Sequence, residues 1–369
     1  MGDRKRERSN IASSVMQPVN QQWKNKSVLI TGHTGFKGSW LSLWLSDLGA
    51  KVQGISLDPP TDPNLFSVAK IASIIEADHR ADIRDFTKLN NLLQKIKPEI
   101  VFHLAAQPLV QSSYDSPLET YATNIMGTAN VLEAIRHCDS VRAALIVTTD
   151  KCYENREWIY PYRETDRLGG IDPYSSSKAC AELVSAAYRA SYFSSSPIHV
   201  ATARAGNVIG GGDWADNRLI PDCIKAFCAS TTLNLRYPQA IRPWQHVLES
   251  IHGYVLLAEK LLSEKGKEFA TAWNFGPEQA DIKSVGEVAG KVCELLGVSI
   301  NMPNEKAQRH EASLLRLDSS KVKENLAWQA RWSLPLAIEK TVEWYQQWLR
   351  DENMLTASRA QIAHFTGSA

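Results

Sequence analysis

The sequence predicts an α/β chain: a doubly wound parallel sheet followed by a smaller, less regular C-terminal α/β lobe. Three observations carry that reading. Short apolar runs at residues 27–31, 51–57, 100–104 and 144–148 alternate with helical periodicity through the first half. Gly32, Gly35 and Gly38 stand at three-residue spacing directly after the first run. Trp40, Leu41, Trp44, Leu45 and Leu48 then recur at helical spacing. Such alternation builds a parallel sheet whose ligands sit at the carboxyl ends of the strands.

Taken in order, the first strand, turn and helix suit a dinucleotide. A Cβ in the turn would hold the backbone off a pyrophosphate, and phosphates rest on N–H groups at a helix N-terminus. Gly32, His33, Gly35, Phe36, Lys37 and Gly38 form the expected cradle. The same glycines also suit a tight turn with no ligand. The second run ends in Asp58, the distance downstream at which an acid meets the adenosine ribose hydroxyls. With no adjacent Arg or Lys in the sequence, it favours NAD over NADP; it also suits the start of an Asp-Pro-Pro turn. A third strand is expected at 74–77, with Asp82 and Ile83 placed to cover an adenine. A helix follows at 86–96. After the fourth strand, Leu104, Ala105 and Ala106 let a cofactor approach the sheet edge, and Gln107 faces the substrate side. Residues 118–137 predict one long helix.

The fifth strand ends in Thr148-Thr149-Asp150-Lys151, a hydroxyl, a carboxyl and an amine in succession. This is either a reactive strand end or a solvated junction with a local ion pair. Further on, Asp172-Pro173-Tyr174 opens a helix, and Lys178 shares the Tyr174 face at i, i+4. A nearby cation stabilises phenolate and brings a tyrosine down from about 10 toward working pH. Such a tyrosine acts as general base on a hydroxyl while a nicotinamide takes hydride.

A sixth strand is expected at 201–205, ending at Gly206-Asn207, before a flexible Gly210-Gly211-Gly212-Asp213-Trp214 loop. Arg218 and Leu219 open a helix. Asn207, Arg218, Arg236 and Arg242 suit a diphosphate, since arginine offers planar bidentate donors; solvated arginines are the alternative. His246 reads first as a packed or capping histidine, and Trp244 as structural. Helices are expected at 251–262, at 285–296 closed by Gly297, and at 342–349, with a strand at 272–275. The expected architecture is a Rossmann-type unit over 23–205 to which 245–275 returns, with 206–244 and 276–369 forming the substrate lobe.

Composition fits an ordinary soluble enzyme. The 369 residues carry a formal net charge of +1, which gives no electrostatic case for nucleic acid or membrane. No apolar run reaches bilayer length. Residues 1–22 lack an apolar core segment and read as a disordered extension rather than a signal peptide. The 6 cysteines form no CxxC pair, so reduced cytoplasmic thiols and no metal site are expected.

The phrases TGHTGFKGSWLSLWL, HLAAQPLV, TTDKCYEN, DPYSSSKACAELV, ARAGNVIGGGDWADNRLIPD and RPWQHVLE resemble the extended short-chain dehydrogenase/reductase family, in its nucleotide-sugar branch, over residues 23–349. Asp150-Lys151, His33 and RPWQHV point to its CDP-sugar members, so CDP-glucose is the expected substrate. The resemblance implies a 4,6-dehydration in deoxysugar and O-antigen biosynthesis. NAD oxidises glucose C4, water leaves across C5–C6, and the same hydride returns to C6. Tyr174 would take the C4 hydroxyl proton, Lys178 would hold the nicotinamide ribose, and Thr149 would bond O4. Asp150 would protonate the departing C6 hydroxyl and Lys151 would remove the C5 proton. Arg242 would meet the diphosphate with His246 beside it, and Arg309 would reach toward the nucleotide. A homodimer through helices 118–137 and 174–192 is implied, with a tetramer left open. The dTDP-glucose enzymes have Glu where this chain has Lys151, and a free ammonium at neutral pH needs its pKa lowered by about three units. Simple electrostatic support of the C4 oxyanion is the alternative role for Lys151. An epimerase or another dehydratase is the nearest rival reading, and a non-catalytic dinucleotide sensor the rival from another class.

Overall fold

The computed structural model describes residues 20–302 and 313–367. Seven strands form the main sheet: β1 (Ser27–Thr31), β2 (Lys51–Ser56), β3 (Ala77–Arg80), β4 (Ile100–His103), β5 (Ala143–Val147), β6 (His199–Ala205) and β7 (Ala272–Phe275). Their order is β7-β6-β5-β4-β1-β2-β3, and every pairing is parallel. β4 and β5 are buried at every position, as a strand covered on both faces by helices must be. The strand order reverses between β1 and β4, and a crevice opens there at the carboxyl ends.

Local chemistry sets the helices. α1 (Phe36–Asp47) is buried along 38–45, including Trp40 and Trp44. α2 (Phe86–Ile96) is capped by Asp85, buries Leu89 and Leu93, and ends at Lys97 in the left-handed region before Pro98. The long helix expected at 118–137 occupies its place but is not uniform. α3 (Pro117–Tyr121) runs into a π turn at Ala122–Met126 and continues as α4 (Gly127–Arg136). The π turn carries Asn124, which donates to the Gln107 carbonyl at 3.0 Å and to Ser177 Oγ at 2.9 Å. α5 (Pro173–Ser191) starts from the Asp172 cap.

Two expected boundaries are corrected. The third strand is not 74–77: Ile71–Ser73 is a short helical turn whose Ile71 and nearby Ile75 anchor in the core. The strand is the more polar Ala77–Arg80, which lies at the sheet edge where solvent takes its outer face. The last aromatic helix, α9 (Leu334–Leu349), begins earlier than 342, with Pro335 in its first turn. An unanticipated α10 (Met354–Thr366) follows, tied to α1 by the bidentate Arg359–Asp47 pair.

The second half adds α6 (Leu219–Cys228), α7 (Val247–Leu261) and α8 (Val285–Leu296), the last with a Ser284/Glu287 capping box and Gly297 in the left-handed region. Short strand pairs join Val208–Ile209 to Gln245–His246, and Ile241–Pro243 to Ile282–Ser284. α7 packs back on the sheet beside β5 and β6. Of the expected N-terminal extension, residues 1–19 lie outside the described residues. Asn20–Trp23 forms one helical turn whose buried Trp23 donates to Glu259 at 2.6 Å. Among the described residues no helix is long and apolar enough to cross a membrane.

One glycine fixes what lies beneath the crevice. A Cβ on Gly54 of β2 would come within 2.2 Å of the His33 ring. Gly54→Ala is therefore expected to cost about 1–3 kcal/mol in denaturant unfolding. In a His33→Ala background most of that cost should disappear, and equal costs in both backgrounds would contradict the packing.

Candidate active site

The glycine turn is held against the end of β4. Gly32 has φ +79°, and a Cβ there would lie 2.6 Å from the Ala105 nitrogen. A Cβ on Gly38 would lie 2.1 Å from the Gly32 carbonyl oxygen, so turn and helix touch with no room between them. Gly35 is different: its Cβ would meet only the Gly32 oxygen, at 3.4 Å. No side chain caps α1, which leaves its first N–H groups for an anionic ligand. Leu104 and Ala105 bond Thr31 through their nitrogens, which aligns the 104–106 segment along the turn.

Beside this cradle lies the reactive cluster. Tyr174 hydrogen-bonds Thr149, and Thr149 Oγ1 donates to Asp150 Oδ1 at 3.0 Å. Asp150 is buried, and its Oδ2 has no hydrogen-bond partner. That oxygen faces Gly206, where a Cβ would sit 3.1 Å away. Lys151 follows in the same short turn, half-buried, and no ion pair joins it to Asp150. The Lys178 Nζ donates to the Val147 carbonyl at 3.4 Å. Lys37, on the first turn of α1, reaches the Tyr254 hydroxyl at 3.3 Å. Arg218 is bound by Asp213 at 2.8 Å and influences Tyr174.

The electrostatics differ from the expected scheme. Burial pushes the Tyr174 phenol up to about 12; Asp150 adds to this, while Thr149 and Arg218 oppose it. The expected depression by Lys178 is not what acts on this phenol, since the ammonium is turned to Val147. Burial brings Lys178 itself down to about 8 against the pull of Glu182 and Cys152. Burial, with Arg218 and Lys178 nearby, brings Lys37 to about 7, although Asp150 resists. The lysine brought nearest neutrality is thus in the glycine turn, a feature the sequence motif does not reveal.

Several expected binding residues lie elsewhere or are occupied. His33 is fully buried, its Nε2 2.8 Å from Asp78 Oδ1 and its ring edge-on to Phe66. It supports the turn from below because Gly54 makes room for it. Asp58 is exposed at the β2 end as expected, but it is not free of basic neighbours: Arg80 Nε of β3 lies 3.7 Å away. Arg80 also bonds Asp78 and the Leu57 carbonyl. Sequence adjacency missed it because it comes from the next strand. Asp82 is engaged by Arg84, and the Ile83 side chain is buried in the core against Gly127, so neither side chain is presented to an adenine. Gln107 donates to Thr120 and accepts from Leu109, which leaves it a loop clamp rather than a substrate ligand.

On the lobe side, Asn207 keeps Oδ1 buried without a partner, and Leu219 starts α6 directly after Arg218. Arg236 is exposed and bonds Asn217. Arg242 is buried, with Nη1 donating to the Ile241 carbonyl. His246 has no exposed surface; it caps α7 through Leu248 N and packs on Trp332 and Trp40, so it is not placed beside a diphosphate. Trp244 is buried and bonds the Lys283 carbonyl, a structural role as expected. Arg309 lies outside the described residues. No group of histidine, cysteine or acidic side chains could hold a metal among the described residues.

Residues 29–341 match the family described as GDP-mannose 4,6 dehydratase. The chain belongs to this family. It is 47% identical over 349 residues to a CDP-glucose 4,6-dehydratase of Salmonella typhimurium, covering 93% of this chain and 97% of that protein. A dTDP-glucose 4,6-dehydratase of Xanthomonas campestris is 28% identical, covering 87% of this chain and 94% of its own. Among solved structures, a dTDP-glucose 4,6-dehydratase from Streptomyces venezuelae with NAD bound superposes with a TM-score of 0.75 at 24% identity, over 89% of this chain and 99% of that one. An epimerase from Methanothermobacter thermautotrophicus gives 0.76 at 22% identity, over 90% and 96%. The fold is thereby shared with both a dehydratase and an epimerase.

The buried histidines set an acid limit. Burial brings His103, His246 and His252 down to about 3, with Arg331 adding to it at His252. All three are neutral in the folded chain, whereas the unfolded chain binds protons below about pH 6.5, so stability is complete above that value and falls beneath it. Each contributes about 1.4 kcal/mol per pH unit. Glu249, pushed up to about 7 by burial, works in the opposite sense and offsets one share. Denaturant unfolding at pH 7.5 and 5.5 should therefore show a net loss of the order of 2 kcal/mol; a flat or rising profile would contradict the assignment.

Proposed function

We propose that the chain is a CDP-glucose 4,6-dehydratase that converts CDP-D-glucose to CDP-4-dehydro-6-deoxy-D-glucose and water, with NAD as cofactor. The observation that carries this reading is the hydrogen-bonded run Tyr174–Thr149–Asp150, with Lys151 in the same turn. It sets a base for a hydroxyl beside an acid for a leaving group. The identity of the nucleotide follows the 47% identical relative. The Gly32–Gly38 turn would hold the NAD pyrophosphate, Asp58 the adenosine ribose, and Tyr174 and Lys178 the nicotinamide side. The turn fits, because Gly35 leaves the N-terminus of α1 open to a phosphate. Bound NAD supplies the acceptor for the C4 hydride and the hydride returned to C6.

The chain's own residues do the rest. Tyr174 takes the C4 hydroxyl proton, and Arg218 beside it supplies positive field that favours the phenolate. The new C4 ketone acidifies C5, whose proton goes to Lys151. Asp150 donates a proton to the departing C6 hydroxyl. Arg218, oriented by Asp213, and Asn207 take the diphosphate side. An epimerase needs Tyr174 and Lys178 but no acid–base pair at 150–151, so that pair favours dehydration.

The residues 206–244 and 276–369 act as the substrate lobe in this reading. Exposed Leu118, Met126, Leu183 and Tyr192 along α3, the π turn and α5 support pairing of these helices in a homodimer. The unpaired state of all six cysteines accords with a cytoplasmic setting in deoxysugar and O-antigen synthesis.

Incubation with CDP-glucose and substoichiometric NAD should give a product lighter by one water, read by mass spectrometry, with no net NADH. An isomerised sugar of unchanged mass would make the protein an epimerase, and no change with any nucleotide sugar would sink the enzymatic reading. Tyr174→Phe should lower kcat by about 10²- to 10⁴-fold. Lys151→Ala should still reduce bound NAD from substrate but lose solvent deuterium incorporation at C5; retained incorporation would remove Lys151 as the base.

A further inference from the structure

Beneath the reactive turn lies a charged network that the mechanism does not use. Glu182 stands four residues beyond Lys178 and eight beyond Tyr174, so the three share one buried face of α5. Its carboxylate is 2% exposed. It accepts from Thr148 Oγ1 at 2.5 Å, from Thr202 Oγ1 at 2.8 Å and from Arg204 Nη2 at 2.7 Å. Arg204 in turn donates to the Tyr153 hydroxyl at 2.8 Å, and that hydroxyl donates to Asn274 Oδ1 at 2.7 Å. Thr148 directly precedes Thr149–Lys151, and Tyr153 follows them by two residues. The network therefore grips both ends of the segment that carries Thr149, Asp150 and Lys151, and ties it to β6 and β7.

We infer that Glu182 is a positioning residue for the reaction, a buried carboxylate that pins both ends of the 149–151 turn and offsets the charge of Lys178. The inference rests on the proposed chemistry for its kinetic consequence, and on the shared buried face of α5 with the charge felt across it for its effect on Lys178. Burial alone would raise this carboxyl; Arg204, Thr148 and Thr202 outweigh it and hold the group below its ordinary value, hence ionised. Lys178 faces charges from several elements. Glu182 comes from its own helix and Cys152 from the turn. Lys37 projects from α1, His103 from β4, and Arg204 from β6 by way of Glu182. The acid that opposes burial at Lys178 is Glu182, with Cys152 acting in the same sense. A purely structural ion pair would stabilise the fold without altering how Lys178 titrates.

Two variants separate the two actions. Glu182→Gln keeps the shape and an acceptor for Thr148 but removes the charge. Thr148→Val keeps the charge but cuts the link to the turn. The titration of Lys178 is read by pH-dependent acetylation and mass spectrometry of the whole protein, which needs no turnover. In Glu182→Gln it should fall by about one pH unit or more, and the alkaline limb of kcat should move to lower pH by the same amount. In Thr148→Val the Lys178 titration should stay within about 0.3 unit while kcat falls about tenfold at unchanged KM. Unmoved titration in a folded Glu182→Gln protein overturns the charge role. A Thr148→Val enzyme with wild-type kcat overturns the anchoring role, and it decides that role even if Glu182→Gln does not fold. If the wild-type protein dehydrates no nucleotide sugar, the proposed function fails while the acetylation arm still decides the effect on Lys178.

Discussion

The backbone contact between Gly32 and Ala105 is the constraint on which the cleft depends. Gly32 adopts a conformation with φ +79°, and a side chain there would drive into the β4 exit at 2.6 Å. With that contact made, the turn closes over Gly38 and α1 starts where β1 and β4 part. The parallel sheet then needs only its strand order to reverse to leave a crevice above the turn. The Tyr174–Thr149–Asp150 run is delivered to the other side of that crevice by β5 and α5. The two halves of the site are thus fixed by backbone geometry, and side chains refine them.

Charge is distributed in the cleft so that Arg218 opposes the burial that keeps the Tyr174 phenol protonated. Arg218 and Lys178 sit close enough to depress Lys37, and Asp150 opposes them there. Desolvation acts in the same direction on Lys37 and Lys178, since an ammonium out of water is costly. The buried Glu182–Arg204 pair lies one layer deeper, and Glu182 opposes the burial that lowers Lys178.

Much of this was legible in the sequence. The β1–turn–α1 unit, the strand end at 148–151 and the Tyr174/Lys178 spacing are local patterns, and local patterns survive folding. What was not legible depends on neighbours far apart in the chain. His33 sits under the turn only because Gly54 of β2 lacks a side chain. Arg80 reaches Asp58 from the adjacent strand, and Ile83 turns inward because Gly127 makes space. The third strand was misplaced because the apolar residues near 71–75 anchor a helical turn, while the edge strand itself is polar. The π turn at Asn124 has no sequence signature at all. Glu182 could have been found by extending the helical face one more turn, from Tyr174 through Lys178.

The central claim is that one cleft oxidises C4 and returns the same hydride to C6. The most direct measurement is nuclear magnetic resonance of the product formed from CDP-glucose deuterated at C4, with NAD in catalytic amount. The account predicts that the deuterium appears at C6 of the 4-keto product. Deuterium found in reduced cofactor, lost to solvent or still at C4 would contradict it.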